Sequence, residues 1–317
     1  MATRKCYTAL GPIHPDQMGL TAEHEHILWG PPGWEYDPEW WWYWGKVYER
    51  CYQDLVEFKN LGGSTLVDVS GIGLGRDVEL YSLLQKTSGV NVVLCTGFWP
   101  ERGILGEFWR DIDFHEELYV RELTQGIQNT AVRAGIIKVG TGRDRMTELE
   151  EVTFRAAARA AKQTGCCVTT HGVWTARRQV QVFEEEGVSP DQVVIGHLED
   201  ASCLDFDRDV EIAKKGYYIG YDHIGIEQTW SPMFYAMPDE QRADMVKAII
   251  DAGLIDRLII SADVNSFSLG WQRSAPYVGK SKVGDLIRFI SKMKRVGITD
   301  DHIHQLLYDN PQRVIPF

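Results

Sequence analysis

The sequence predicts an α/β fold, a (β/α)8 barrel of the TIM type forming a single domain over residues 1–317, and three observations carry that expectation. Apolar runs of strand length alternate with amphipathic helical stretches from Gly19 onward, with no polar linker, repeat or low-complexity block between them. The runs number eight and are apolar nearly throughout, as strands of a parallel sheet buried on both faces must be. Residues of metal-ligand type recur at the ends of these runs, where a barrel places its chemistry. A doubly wound open sheet is the competing arrangement.

A short hairpin-like lead-in precedes the first run. The strands are expected at Leu20–Ile27, Ser64–Val69, Val90–Thr96, Gly135–Val139, Cys166–Thr170, Gln192–Ile195, Tyr217–Tyr221 and Arg257–Ser261. Helical spacing predicts Lys46–Asn60, Asp113–Ala131, Thr147–Thr164, Ala176–Glu186, Ser202–Lys215, Asp239–Ala252 and Lys282–Arg295 between them, with long βα loops. Gly71-Ile-Gly-Leu-Gly75 sits between a strand and a helix like a dinucleotide fingerprint. Arg76 stands where its last glycine belongs, and no acidic residue ends the next strand, so the glycines read as a tight βα turn.

Composition is that of a globular protein, with 44% hydrophobic and 25% charged residues. A net charge of -12 speaks against a nucleic-acid or anionic-membrane partner, both of which need a basic face. Met1–Leu10 lacks an apolar signal core and no run approaches the ~20 apolar residues of a membrane span, so a cytoplasmic location is expected. The six cysteines are scattered without a Cys-x-x-Cys, the distribution of reduced buried thiols.

Glu23-His-Glu-His26 opens the chemistry. On an extended strand His24 and His26 share one face, with Glu23 and Glu25 on the other, so two imidazoles converge on one point. His302 and His304 have the same spacing inside a helical pattern, where positions two apart diverge by roughly 200°; they read as a solvated helix face. Down the chain, Lys138 lies within the fourth strand, His171 and His197 end the fifth and sixth, and Asp263 follows the eighth. Lys138 is informative, because burial drives an amine toward its neutral form, which can take up carbon dioxide as an anionic carbamate with two oxygens able to bridge two metal ions.

These residues lie in longer motifs: Gly19-Leu-Thr-Ala-Glu-His-Glu-His26, Val67-Asp-Val-Ser with Gly75-Arg-Asp77, Cys95-Thr-Gly97, Gly135-Ile-Ile-Lys138, Thr170-His171, Ile195-Gly-His-Leu-Glu-Asp200, Ile219-Gly-Tyr-Asp222 and Asn310-Pro311. In that order they resemble the phosphotriesterase-like branch of the amidohydrolase superfamily, nearly end to end. The resemblance implies a binuclear centre of two divalent ions, zinc or else iron, cobalt or manganese. In it His24, His26 and Asp263 hold one ion, His171 and His197 hold the other, and carboxylated Lys138 joins them with a shared hydroxide. Asp263 would take the proton as hydroxide attacks, and Asp200 and His223 would relay it outward.

Six of the eleven tryptophans lie in Trp29–Trp44, and Trp99, Trp109, Trp174, Trp230 and Trp271 also fall in expected βα loops. Trp29, Phe98, Trp99, Trp174 and Trp271 are the expected substrate contacts, forming an apolar wall for an aromatic or long acyl group. Packing of long loops or a dimer interface would use the same residues, and a homodimer is expected. A small carboxylic ester or lactone with an apolar substituent is the first substrate choice, a phosphotriester the second and an amide the third. The family's lactonases place tyrosine and arginine where this chain has Trp99 and His223, which brings those positions nearer to organophosphate-degrading members. A barrel that merely binds a hydrophobic ligand, or a nicotinamide oxidoreductase, are the alternatives from other classes.

Overall fold

The computed structural model describes residues 4–36, 43–98, 111–227, 237–270 and 282–317. The expected lead-in is present as an antiparallel hairpin, β1 (Cys6–Thr8) and β2 (Gly11–Ile13), with Cys6 opposite Ile13. There follow β3 (Leu20–Trp29), β4 (Gly63–Asp68), β5 (Asn91–Thr96), β6 (Ile136–Gly140), β7 (Val168–His171), β8 (Val193–Ile195), β9 (Tyr218–Tyr221), β10 (Leu258–Ile260) and β11 (Asn265–Ser268). All pair in parallel in the order β10-β9-β8-β7-β6-β5-β4-β3-β11. β10 and β11 are two halves of one crossing, interrupted at residues 261–264. Because the first half pairs with β9 and the second with β3, the sheet closes on itself as a barrel of eight crossings.

Side-chain alternation fixes which residues face the barrel axis. Val67 and Val69, Val93 and Cys95, Ile136, Cys167, Val194, Tyr218 and Ile259 pack together in the interior with Cys6, Met18, Val314 and Ile315, so the hairpin and the C-terminal helix seal one end. Two residues further along their strands, the same parity turns Lys138, Thr169 and Gly220 inward. One more step brings His171 and Asp222 to the opposite rim. The apolar outer faces of the strands are covered by α1 (Trp44–Asn60), α2 (Val78–Ser88), α3 (Ile112–Thr124), α4 (Glu148–Thr164), α5 (Ala176–Glu186), α6 (Phe206–Lys214), α7 (Asp239–Asp251) and α8 (Asp285–Arg295). No described helix is long and apolar enough to cross a membrane.

Three boundaries differ from expectation for local reasons. α3 ends at Thr124 rather than Ala131, because Gly126 (φ 149), Gln128 (φ 49) and Asn129 (φ 61) turn the chain back. α6 begins at Phe206 rather than Ser202: Asp205 caps it by accepting from Arg208 N at 2.9 Å, while Ser202 is held in a separate turn by Asp200. The eighth strand resumes as β11 after its break, a second half that the apolar pattern does not signal. The six cysteines are free thiols, five buried and Cys203 half-buried. Thr299 caps the short helix Asp300–His304, on which His304 is exposed and stacked on Tyr308, at a distance in sequence and function from the rim histidines.

Candidate metal centre

A β-bulge in β3 shapes the site. Its ladder with β4 runs from Ala22 opposite Leu66 to Glu25 opposite Asp68, so β3 spends one residue more than its neighbour. Simple alternation therefore fails at Glu23. This residue does not share the surroundings of Glu25 but lies among Lys138, Asp222 and Thr169, fully buried, where burial and the charge of Asp222 push its carboxyl well above the usual range. Glu25 does face away from the axis. Its carboxylate accepts from Ser261 Oγ (2.7 Å), Ala262 N (2.8 Å) and Val264 N (3.1 Å), and so sets the break between β10 and β11. At that break Asp263 adopts φ 49 and donates its N–H to His24 O at 2.9 Å, which turns its carboxylate toward the histidines.

Around Asp263 the expected residues gather. His26 Nε2 lies 3.2 Å and His24 Nε2 3.9 Å from Asp263 Oδ1, and His223 Nε2 lies 3.4 Å from Oδ2. Lys138 Nζ, almost fully buried, is 2.6 Å from His24 Nε2 and 3.3 Å from Thr170 O. The rings of His171 and His197 have centroids 4.5 Å apart, and His197 stacks on His223 at 4.5 Å. His24, His197 and Asp263 each present a ligand atom within 4.8 Å of the others.

The electrostatics fit divalent ions. Burial, then the charge of Lys138, lowers His24 to about 3, and burial and His197 hold His171 well below the usual imidazole range, so both rings are neutral lone-pair donors. Burial lowers Lys138 as well, against the opposing pull of Asp263 and Asp222. Burial raises and hydrogen bonds from His223 and His26 lower Asp263, with the net result a carboxylate held ionised well below its usual range. His197 Nε2 is buried with no hydrogen-bond partner in the protein, an orphan that a metal ion would satisfy.

Two carboxylates change the picture drawn from the sequence. Asp200, expected in the relay, accepts at Oδ1 from Ser202 N (2.7 Å) and Ser202 Oγ (2.6 Å), which ties down the loop after β8. The partners of His223 are instead Asp263 and Glu199, whose carboxylate accepts the His223 backbone N–H. Although burial opposes it, the hydrogen bond to Asp263 and the charges of Glu199 and Asp222 raise His223 to about 9, so it is a cation beside Asp263.

Asp222 is the residue that the sequence reading missed. It accepts from His197 Nδ1 at 2.6 Å and His197 N at 3.0 Å, and its Oδ2 lies 3.1 Å from His24 Nδ1. One buried carboxylate thus orients two rings and fixes which nitrogen each turns to the centre. Gly196 and Gly220 make room for it, since a Cβ on either would stand 3.1 Å and 2.7 Å from Asp222 Oδ2. The signal was available, because Tyr218, Gly220 and Asp222 alternate inward and only the last is polar. Asp222→Asn is expected to weaken metal binding by about 10- to 100-fold, because an amide offers one acceptor oxygen where two rings need one each. Metal titration by calorimetry checks this.

The family model for the phosphotriesterase family matches residues 4–315. The chain belongs to the phosphotriesterase family. Among its relatives in this family is an aryldialkylphosphatase of Saccharolobus solfataricus, 30% identical over 288 residues that cover 83% of this chain and 87% of the relative. An N-acetyltaurine hydrolase of Xenopus tropicalis is 28% identical over 349 residues, covering 99% and 98%. In structure, a mutant organophosphorus hydrolase from Deinococcus radiodurans superimposes with a TM-score of 0.89 at 26% identity, covering 98% of this chain and 97% of that one. The phosphotriesterase family is one of binuclear metal hydrolases, and among the described residues the His and Asp cluster at the rim offers candidate ligands.

Of the expected substrate contacts, Trp99 and Trp271 lie outside the described residues. Trp29 is half-buried at the end of β3, and Trp174 is half-buried three residues after His171. Phe98, the fifth expected contact, follows β5. Its buried ring packs against His115 at 5.3 Å and Tyr119 at 6.4 Å, both on α3, which makes it part of the layer between sheet and helices.

Proposed function

We propose that residues 1–317 act as one binuclear-metal hydrolase that cleaves a carboxylic ester or lactone with an apolar substituent. The observation that carries this reading is the convergence of His24, His26, Lys138, His171, His197 and Asp263 at one rim, with neutral buried imidazoles and an unsatisfied His197 Nε2. His24, His26 and Asp263 would hold one ion, and His171 and His197 the other, with Lys138 as the carboxylated bridge. Two divalent ions held there, zinc first, with iron, cobalt and manganese as alternatives, would supply hydroxide at neutral pH by bringing the pKa of water from ~15.7 to near 7, and would polarise the carbonyl.

The chain's own groups do the rest. Asp222 holds the rings of His24 and His197, and Ser70 Oγ, 2.7 Å from His26 Nδ1, holds the third. Asp263 would receive the proton released on attack at Oδ2, facing Nε2 of the His223 imidazolium, which would stabilise the carboxylate and take up its proton only after giving its own to solvent. Trp29 and Trp174, both half-buried near the rim, would line the apolar side of the pocket.

Metal-loaded protein is expected to contain about two equivalents of metal per chain and to lose hydrolysis on chelation. In a screen of aryl esters, γ- and δ-lactones, acyl-homoserine lactones, paraoxon-like triesters and N-acyl amines, the best ester or lactone should exceed the others in kcat/KM by about tenfold or more. A triester in first place would instead align this chain with its aryldialkylphosphatase relative, and an amide with its N-acetyltaurine hydrolase relative. A metal-free protein that binds apolar ligands without cleaving any would overturn the reading.

A further inference from the structure

Beside the centre, the turns after β6 and β7 carry a cation that has no counter-ion among the described residues. The guanidinium of Arg143 lies over the ring of Trp174, 4.7 Å from its centroid, and Arg143 is half-buried. Among the described residues no carboxylate pairs with it. The arginines with buried side chains are matched, Arg76 with Glu122 at 2.7 Å, Arg208 with Asp209 at 2.8 Å and Arg242 with Asp239 at 2.9 Å, and Arg133, half-buried over the Tyr7 ring at 3.7 Å, donates to Leu123 O. A partly desolvated guanidinium with only an aromatic face beneath it retains unused donors in a planar fork, the geometry that binds carboxylate, sulfonate or phosphate.

Its position is also fixed. Thr141 Oγ1 and Thr175 Oγ1 meet at 2.6 Å across the two turns, and Gln179 Nε2 donates to Gly172 O at 2.7 Å and to Thr175 Oγ1 at 3.0 Å. Glu150 Oε1 accepts from Gly142 N at 2.9 Å, next to Arg143. Arg143 follows Lys138 by five residues and Trp174 follows His171 by three, so this brace joins the cation and its aromatic seat directly to two residues of the centre.

We propose that Arg143, seated on Trp174, is a specificity-determining anion subsite, and that the substrate is amphipathic, with an anionic group remote from the scissile bond. This rests on the hydrolase reading of the same site and narrows it: an ester or lactone whose acyl or alcohol half carries a carboxylate, sulfonate or phosphate.

The test compares two esters that differ by a terminal carboxylate, mono-4-nitrophenyl glutarate and 4-nitrophenyl butyrate, on metal-loaded wild type, Arg143→Gln and Arg143→Lys. Wild type should favour the glutarate ester. The ratio of the two kcat/KM values should fall about tenfold or more in Arg143→Gln and be partly kept in Arg143→Lys. Inhibition by butyrate, butanesulfonate and butyl phosphate, with butanol as the neutral control, distinguishes the anion classes. An unchanged ratio in Arg143→Gln, or a wild type that prefers the butyrate ester, overturns the subsite. If neither ester is cleaved, the ester reading fails on its own, and the subsite is judged by calorimetric titration with butanesulfonate. Binding that Arg143→Gln abolishes supports it, and binding equal in both proteins, or absent from wild type, overturns it.

Discussion

Lys138→Ala is expected to lower hydrolysis by about a thousandfold or more, corresponding to roughly 4 kcal/mol of transition-state stabilisation, and to leave less than the full complement of metal. The side chain is almost fully buried, with its amine 2.6 Å from His24 and between the two groups of histidines. Nothing else on β6 can reach that point, since Ile137 and Val139 face the helices. Truncation also leaves a cavity the size of a small acid. Formate, acetate or propionate should enter it and restore part of the metal content and part of the rate, because a carboxylate supplies the same pair of oxygens as a carbamate. Lys138→Met, which keeps the volume, should lose activity to the same degree but resist rescue. Full activity in Lys138→Ala without added acid would remove the bridging role, whereas loss of activity at full metal content would make Lys138 a proton-transfer group instead.

Most of the barrel could be read from the sequence because each crossing is a short, nearly continuous apolar run followed by a helical stretch. The ends of those runs place Lys138, His171 and Asp263 near one rim, and inward and outward alternation sets His24 beside His26. It failed where the backbone departs from a regular strand. The bulge in β3 puts Glu23 inside with His24, and no local residue marks it, since neither glycine nor proline interrupts that stretch. The break between β10 and β11 depends on Glu25, which is remote in sequence, so Asn265–Ser268 could not be recognised as a strand from its own four residues. Asp200 and Asp222 illustrate a different limit. Both are acids at strand ends, and only the geometry shows that one anchors a loop through Ser202 while the other holds two imidazoles.

Gly97→Ala should be among the most damaging substitutions that touch no side chain of the centre. Gly97 follows β5 at φ 108, and a Cβ there would lie 2.0 Å from Lys138 O, 2.9 Å from Lys138 C and 3.2 Å from Lys138 N. These are backbone atoms of a paired strand, so relief requires β5 and β6 to separate at Lys138, the proposed bridge. Gly62 provides the control, with φ 107 and nothing within 4 Å of its ideal Cβ. Gly62→Ala therefore reports backbone strain alone, expected to cost about 1–2 kcal/mol. Gly97→Ala adds the collision and should cost about 3–5 kcal/mol in all, read as the difference between the two variants in chemical unfolding. Metal affinity separates the causes further. It should fall in Gly97→Ala, because Lys138 is displaced, and stay near wild type in Gly62→Ala. Equal stability and equal metal binding in the two variants would mean that β5 and β6 yield without moving Lys138, and that the close approach at Gly97 has no part in holding the centre together.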